Sequence, residues 1–128
     1  MAEKFLSFSP KHKSLEAILA DHKLASLGDA YVNFIYSIAL SKRKGEAAGT
    51  KVNSRILSQA LKKAKLKEFT PKRSDRHKLA DAAEALIVYA WIQGAISIEE
   101  SITMLSSSEN TIAAFTDLLL LAKDKLKL

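Results

Sequence analysis

The sequence predicts an all-α protein with about six helices. Apolar residues recur at three- and four-residue spacing along almost the whole chain, and no segment alternates as a half-buried strand would. The chain has only 4 Gly and 2 Pro among 128 residues, which disfavours turn-rich β-architectures. Its length suits one domain, and 48% hydrophobic residues are enough to form a core. We therefore expect a single helical domain over residues 1–128.

The first three helices are predicted from apolar spacing and from residues typical of helix ends. A short helix is expected at residues 15–19. The second runs from residue 24 to about 41 and is followed by three basic residues, which suit the negative end of a helix dipole. Thr50 is the expected N-cap of the third, because apolar residues then recur every fourth position over 52–64.

The remaining three helices have start and stop signals. Ser74 or Asp75 is expected to begin the fourth, which runs to Gln93 and stops at a glycine. The Ser-Ile-Glu-Glu sequence at 97–100 is a capping box that begins the fifth. The sixth begins at Ser108 or Asn110, and its apolar face consists of Ile112, Phe115, Leu119, Ala122 and Leu126.

Positive charge is concentrated in the middle of the chain. The formal net charge is +6, but residues 42–78 contain thirteen Lys or Arg against three acids and carry +10. This concentration favours a polyanionic partner, although a solvated helix face with a basic loop would have the same composition. Phe69 is the only Phe, Tyr or Trp in the segment, so a duplex phosphate backbone fits better than stacking on single-stranded bases. The candidate contacts are Lys42, Arg43, Lys51, Arg55, Lys72, Arg73, Arg76 and Lys78.

No segment is expected to cross a membrane. The two most apolar stretches, 24–40 and 79–92, are shorter than the ~20 residues of a membrane span, and each contains a charged residue. The first ten residues lack the apolar region of a signal peptide, and the chain has no cysteine. These features together predict a cytoplasmic protein.

Three carboxylates occur in apolar helices, where charge is costly. Asp81 and Glu84 are the only charged residues in 79–92, and their spacing puts them on one helix face. Asp29 is the only charged residue in 24–41 and follows Gly28, and a helical glycine often allows another backbone to approach closely. If the second and fourth helices cross there, the three carboxylates converge. Oxygen ligands of this kind suit Mg²⁺ or Mn²⁺.

The same acids also permit a purely structural interpretation. Buried acids commonly pair with Lys or Arg from a neighbouring helix. Asp29 can also mark the start of a helix within the apolar stretch. With the acids salt-bridged, the protein would be a helical interaction module unrelated to RNA.

Three blocks of the sequence resemble the endonuclease domain of ribonuclease III. Leu-Gly-Asp-Ala at 27–30 is similar to the end of the family pattern E-R-L-E-F-L-G-D-A. Ala-Asp-Ala-Ala-Glu-Ala-Leu-Ile at 80–87 is similar to A-D-x-x-E-A-L-I-G-A, and residues 51–58 resemble the helix between these motifs. The resemblance covers about residues 24–94.

This resemblance implies an all-helical, dimeric, metal-dependent endoribonuclease that acts on double-stranded or structured RNA. Asp29, Asp81 and Glu84 would be its catalytic, metal-binding carboxylates, and Mg²⁺ or Mn²⁺ its cofactor. The products would carry a 5′-phosphate and a 3′-hydroxyl. A homodimer is also expected because the second, fourth and sixth helices have more apolar residues than one small core needs.

The chain departs from the family pattern at one important position. The family's second glutamate falls on Ala25 and its first on His22, so one of the usual carboxylates is missing. The small relatives called mini-ribonuclease III are similar, since they lack a double-stranded-RNA-binding domain and tend to have a small residue at this position. The alternative is a catalytically inactive member of the family that binds RNA or associates with the ribosome.

Overall fold

A computed structural model describes Leu6, Phe8 and residues 10–128, and this part of the chain is all-α. The predicted fold class is confirmed, with six α-helices and a 3₁₀ turn at Lys67–Phe69. Most of the first ten residues, which bear on the signal-peptide prediction, lie outside the described residues. The helices are α1 (Leu15–Leu19), α2 (His22–Lys44), α3 (Ser54–Lys63), α4 (Arg76–Ile92), α5 (Ile98–Ser106) and α6 (Thr111–Leu126).

Each of these helices begins at a polar side chain that accepts a hydrogen bond from a backbone N–H in the first turn. Asp75, Ser97 and Asn110 cap α4, α5 and α6 as expected. α2 begins earlier than predicted, at His22, because Asp21 caps it, and it ends later, at Lys44. The N-cap predicted for the third helix is wrong. Asn53 caps α3, because the backbone of Thr50 is hydrogen-bonded to α2.

α4 is the central helix of the fold and packs against α1, α2, α3 and α6. From Leu79 to Ile92 every residue is buried except Asp81 and Trp91, so the helix is covered on nearly all sides. Many of its buried residues are alanine, whose small side chains let the neighbouring helices approach closely. Within the described residues, no helix is both long and apolar enough to cross a membrane.

α2 and α4 approach each other closely at Gly28. A Cβ atom at this position would lie 2.6 Å from the carbonyl carbon of Glu84 and closer still to its oxygen. Only glycine fits, because the main chain of α4 occupies the space that any other side chain would need. The predicted crossing of these two helices is confirmed, and it puts Asp29 beside Glu84.

Candidate active site

The three candidate carboxylates line one open depression at the crossing of α2 and α4. Asp29 follows the glycine at the point of contact, and a side-chain hydrogen bond joins it to Glu84. Asp81 lies one turn before Glu84 on α4. Two helices that pack closely therefore present all three side chains to the same space. The depression is lined by His22, Ala25, Ser26, Asp29, Asp81 and Glu84.

The carboxylates differ in burial, which the sequence did not indicate. Glu84 is only 6% exposed, whereas Asp29 and Asp81 are both exposed. The expectation that the acids occupy apolar surroundings, where charge is costly, is therefore wrong for Asp81. The depression is open to solvent, and both aspartates that line it are exposed.

The environment of Glu84 raises its pKa to about 8. Burial is the main cause, and the negative charge of Asp29, the hydrogen bond with Asp29 and the charge of Asp81 add to it. Lys51 acts in the opposite direction and lowers this pKa. At neutral pH Glu84 is therefore mostly protonated and donates a hydrogen bond to the Asp29 carboxylate.

The salt-bridge and helix-start interpretations of the acids do not match this arrangement. The ion pairs found in the described part of the chain are His12–Asp21 and Lys125–Glu100, and neither involves the candidate carboxylates. Asp29 is not the start of a helix either, since α2 continues through it from His22 to Lys44.

The donor chemistry fits a hard divalent cation. Mg²⁺ and Mn²⁺ prefer oxygen ligands in proteins. A bound cation would also offset the repulsion between the carboxylates, which have no ion-pair partner among the described residues. The side-chain positions do not complete a ligand set, however. Among residues 10–128, Leu6 and Phe8, no group of three or more His, Asp or Glu side chains is arranged to hold a metal ion.

Asn33 is a site residue that the sequence analysis missed. Its Nδ2 donates a hydrogen bond to Asp29 Oδ1 at 3.2 Å, and its Oδ1 accepts one from the Val52 N–H at 2.8 Å. The side chain thus connects a candidate metal ligand to the segment that carries Lys51. A signal was present, because Asn33, Ser37 and Ser41 are polar residues spaced four apart in a largely apolar part of α2.

All eight candidate RNA-binding residues are exposed, but they lie at different distances from the carboxylates. Lys78 lines a second depression, which shares His22, Ala25 and Asp81 with the first. Lys51 is close enough to affect the pKa of Glu84.

The basic residues at the end of α2 are remote from this group. Lys42 and Arg43 lie about 20 Å from Asp29 along the helix, from its rise of ~1.5 Å per residue. The Arg43 guanidinium also donates a hydrogen bond to the Ser108 carbonyl at 3.1 Å, so it is partly engaged by the protein itself.

The remaining four candidates line neither of the depressions that contain the carboxylates. Lys72 and Arg73 line a shallow hollow in the loop before α4, Arg76 is the first residue of α4, and Arg55 is in the first turn of α3. Lys51 and Lys78 are thus the two candidate RNA contacts that the structure brings to the carboxylates.

Comparison with known families identifies the class of protein. The family model for ribonuclease III matches residues 22–120, which is most of the 128-residue chain. The chain therefore belongs to the ribonuclease III family, and the resemblance of its sequence motifs is confirmed. A search of curated protein sequences finds no match.

Proposed function

We propose that the protein is a metal-dependent endoribonuclease that cuts double-stranded or structured RNA. Membership of the ribonuclease III family supports a function of this type. The observation that carries the proposal is the meeting of Asp29 and Glu84 where α2 and α4 cross, in a depression shared with Asp81. None of the three has an ion-pair partner among the described residues, so the charge that balances them is left to a cation from solution.

The proposed reaction is hydrolysis of a phosphodiester bond. The oxygen of a water molecule bonds to phosphorus and the P–O3′ bond breaks, which leaves a 5′-phosphate, while the 3′ oxygen takes up a proton as a 3′-hydroxyl. Mg²⁺ or Mn²⁺ held by Asp29, Asp81 and Glu84 would lower the pKa of that water and offset charge on the phosphate oxygens. Glu84 must first release its own proton, which its raised pKa disfavours at neutral pH and which becomes easier as the pH approaches about 8.

The substrate we propose is duplex RNA held by its phosphate backbone. The exposed basic residues of the 42–78 segment supply the charge. A-form RNA is recognised by shape and by its 2′-hydroxyls, so contacts of this kind need no base-specific side chains. Lys78 and Lys51, which border the carboxylates, would hold the strand that is cut.

We also propose that the protein is a homodimer, with the exposed side of α2 as the contact. The structure changes the reason for this expectation. α4 is buried within a single chain, and in α6 Leu118 and Leu119 are fully buried while Leu120 is exposed. α2, in contrast, exposes 38% of Leu27 and 54% of Phe34, which are seven residues apart on one face.

A stable dimer needs an interface of roughly 1,000 Å² or more in total. Light scattering at micromolar concentration should therefore give twice the 14.1 kDa mass of the chain. Phe34→Glu should give a monomer that is still folded, since the residue makes no contribution to the buried core. A monomeric wild type would contradict the proposed dimer.

The catalytically inactive, RNA-binding or ribosome-associated protein remains the second candidate. Ala25 favours it, because the depression has a methyl group where the family pattern has a carboxylate. The deciding experiment is incubation of the purified protein with duplex RNA in Mg²⁺, Mn²⁺ or EDTA. Cutting that depends on metal and is lost in Asp81→Asn supports the nuclease, whereas binding without cutting supports the inactive protein.

A further inference from the structure

We infer that Lys51 is the residue that orients the scissile phosphate at the carboxylate site, and that Asn33 holds it there as a positioning residue. This inference rests on the proposed nuclease function and assigns one of its basic residues a separate role. The other basic residues would contribute to RNA binding along the duplex, whereas Lys51 would act at the bond that breaks.

The first support is the double use of the Asn33 amide. Its nitrogen donates to Asp29 and its oxygen accepts from the Val52 backbone, so both ends of the group are engaged. The orientation of the amide is fixed by this pair of bonds, because a flip would place its nitrogen against the Val52 N–H. One side chain therefore sets the position of the backbone next to Lys51 relative to Asp29.

The second support is a row of hydrogen bonds that holds residues 48–52 along α2. The Ser37 hydroxyl donates to the Thr50 carbonyl and accepts from the Thr50 N–H, both at 2.9 Å. The Ser41 hydroxyl accepts from the Ala48 N–H at 2.8 Å, and its one proton lies between two acceptors, the Ser37 carbonyl at 2.8 Å and the Ala48 carbonyl at 3.1 Å. Asn33 completes the row at Val52.

The spacing of this row has a simple geometric basis. Four residues of α-helix rise about 6 Å, and two residues of extended chain span about 6.6 Å. Every fourth residue of α2 therefore meets every second residue of the 48–52 segment, which runs in the opposite direction. Because the segment is attached at three points, the position of Lys51 is determined by α2, the helix that also carries Asp29.

The third support is the complementary charge of Lys51 and the depression. Lys51 is exposed, and it directly precedes Val52, whose N–H is bonded to the same Asn33 side chain that donates to Asp29. The depression that Asp29 lines has only acids among its charged side chains, histidine excepted. In the proposed arrangement, a phosphate placed over the carboxylates has the Lys51 ammonium within reach of a non-bridging oxygen.

Such a contact would matter most while the phosphorus–oxygen bonds are changing. Negative charge on the phosphate oxygens must be stabilised in the transition state, and an oriented donor there typically contributes ~100-fold to kcat. Ground-state binding would change little, because many other phosphates contact the basic segment. Lys51→Gln should therefore lower kcat by about 100-fold with KM within about threefold of wild type.

The experiment compares Lys51→Gln, Asn33→Ala and Asn110→Ala with wild type. Single-turnover and steady-state cleavage of duplex RNA in Mg²⁺ gives kcat and KM, and amide hydrogen exchange reports the 48–52 segment. Asn33→Ala should lower kcat about 10-fold and speed exchange at Val52. Asn110→Ala is the matched control, since it removes an asparagine that accepts from a backbone N–H, that of Ala113, but lies outside the row on α2. It should speed exchange at Ala113 and leave kcat unchanged.

The double variant Asn33→Ala/Lys51→Gln tests the link between the two residues. If Asn33 acts through Lys51, the double variant should be no slower than Lys51→Gln alone. Additive losses, or a Lys51→Gln protein that changes KM and not kcat, would overturn the inference while leaving the nuclease intact. A wild type that does not cut RNA would defeat the proposed function, and this inference with it.

Discussion

The carboxylate depression and the basic segment of residues 42–78 are built in opposite ways. The depression lies between two long helices whose main chains touch at Gly28, and its central residue, Glu84, is buried. The basic segment includes two connecting loops, all eight candidate contacts in it are exposed, and Lys65 and Arg73 have positive φ angles. Helix packing determines where the side chains of the depression lie, whereas the density of positive charge determines what the basic segment can bind.

This difference separates the expected effects of substitution. A change in the depression alters packing or the balance of buried charge, so it should appear as a change in stability and in pH dependence. A change in the basic segment, Lys51 excepted, removes an exposed charge, so it should leave stability nearly constant and alter the affinity for RNA and its dependence on salt.

The largest effect is expected for Gly28→Ala. The added methyl group would overlap the Glu84 carbonyl, so α2 and α4 must move apart. Overpacking of this kind costs about 3 kcal/mol of unfolding free energy and should also abolish RNA cleavage. Urea denaturation measures the loss. Gly49→Ala is the matched control, because a Cβ there meets nothing within 4 Å, and a Gly28→Ala protein as stable as this control would refute the close crossing.

The next largest effect on stability is expected for Glu84→Gln in EDTA. The pKa of Glu84 is about 8 in the folded protein against an ordinary value of 4.5, so the folded state binds more protons between these values. Stability of the wild type should therefore fall as pH rises from about 4.5 to about 8 and then level off. Glu84→Gln lacks this loss. Above pH 8 its free energy of unfolding should exceed that of wild type by on the order of 2 kcal/mol, after allowing for solvent screening.

Metal should make the wild type more stable than Glu84→Gln. A cation that binds only the folded protein raises its melting temperature, so wild type should melt higher in Mn²⁺ than in EDTA, and more so as Glu84 loses its proton. Glu84→Gln should gain little from Mn²⁺ and lose cleavage while it keeps RNA binding. If Glu84 instead neutralised a buried Lys or Arg, the variant would lose about 3–5 kcal/mol and wild type would not respond to metal.

A smaller effect on free energy is expected when charge in the basic segment is reversed. Arg73→Glu/Arg76→Glu should weaken duplex RNA binding by about tenfold or more at moderate salt. The melting temperature should hardly change, since both side chains are exposed and a glutamate at the first position of α4 suits the helix dipole. Unchanged binding in a fluorescence anisotropy titration would place the RNA surface elsewhere.

The smallest effect is expected for removal of one charge far from the depression. Lys42→Gln should reduce the slope of log affinity against log salt by about one unit if Lys42 contacts a phosphate. Lys127→Gln, which follows α6 and lies outside the basic segment, is the control and should leave the slope unaltered. Equal slopes for both variants would remove Lys42 from the RNA surface.

Most of the helices could be predicted because their signals are local. Asp75, Ser97 and Asn110 cap helices at their own position in the chain, so no information about distant residues is needed to find these starts. The start of α3 was missed for the opposite reason. Thr50 is also a favoured type of capping residue, but its backbone is bound by Ser37 of another helix.

The sequence by itself determined the all-α class, the family and the identity of the three candidate carboxylates, since periodicity and short motifs can be recognised without a structure. Only the tertiary structure decided that Glu84 is buried while Asp29 and Asp81 are exposed, and that Asn33 connects Asp29 to the backbone beside Lys51. The physical reason is that burial and hydrogen bonding depend on which distant segments pack together. The contact of Gly28 with Glu84 joins two different helices, and the bond between Asn33 and Val52 joins α2 to the segment before α3.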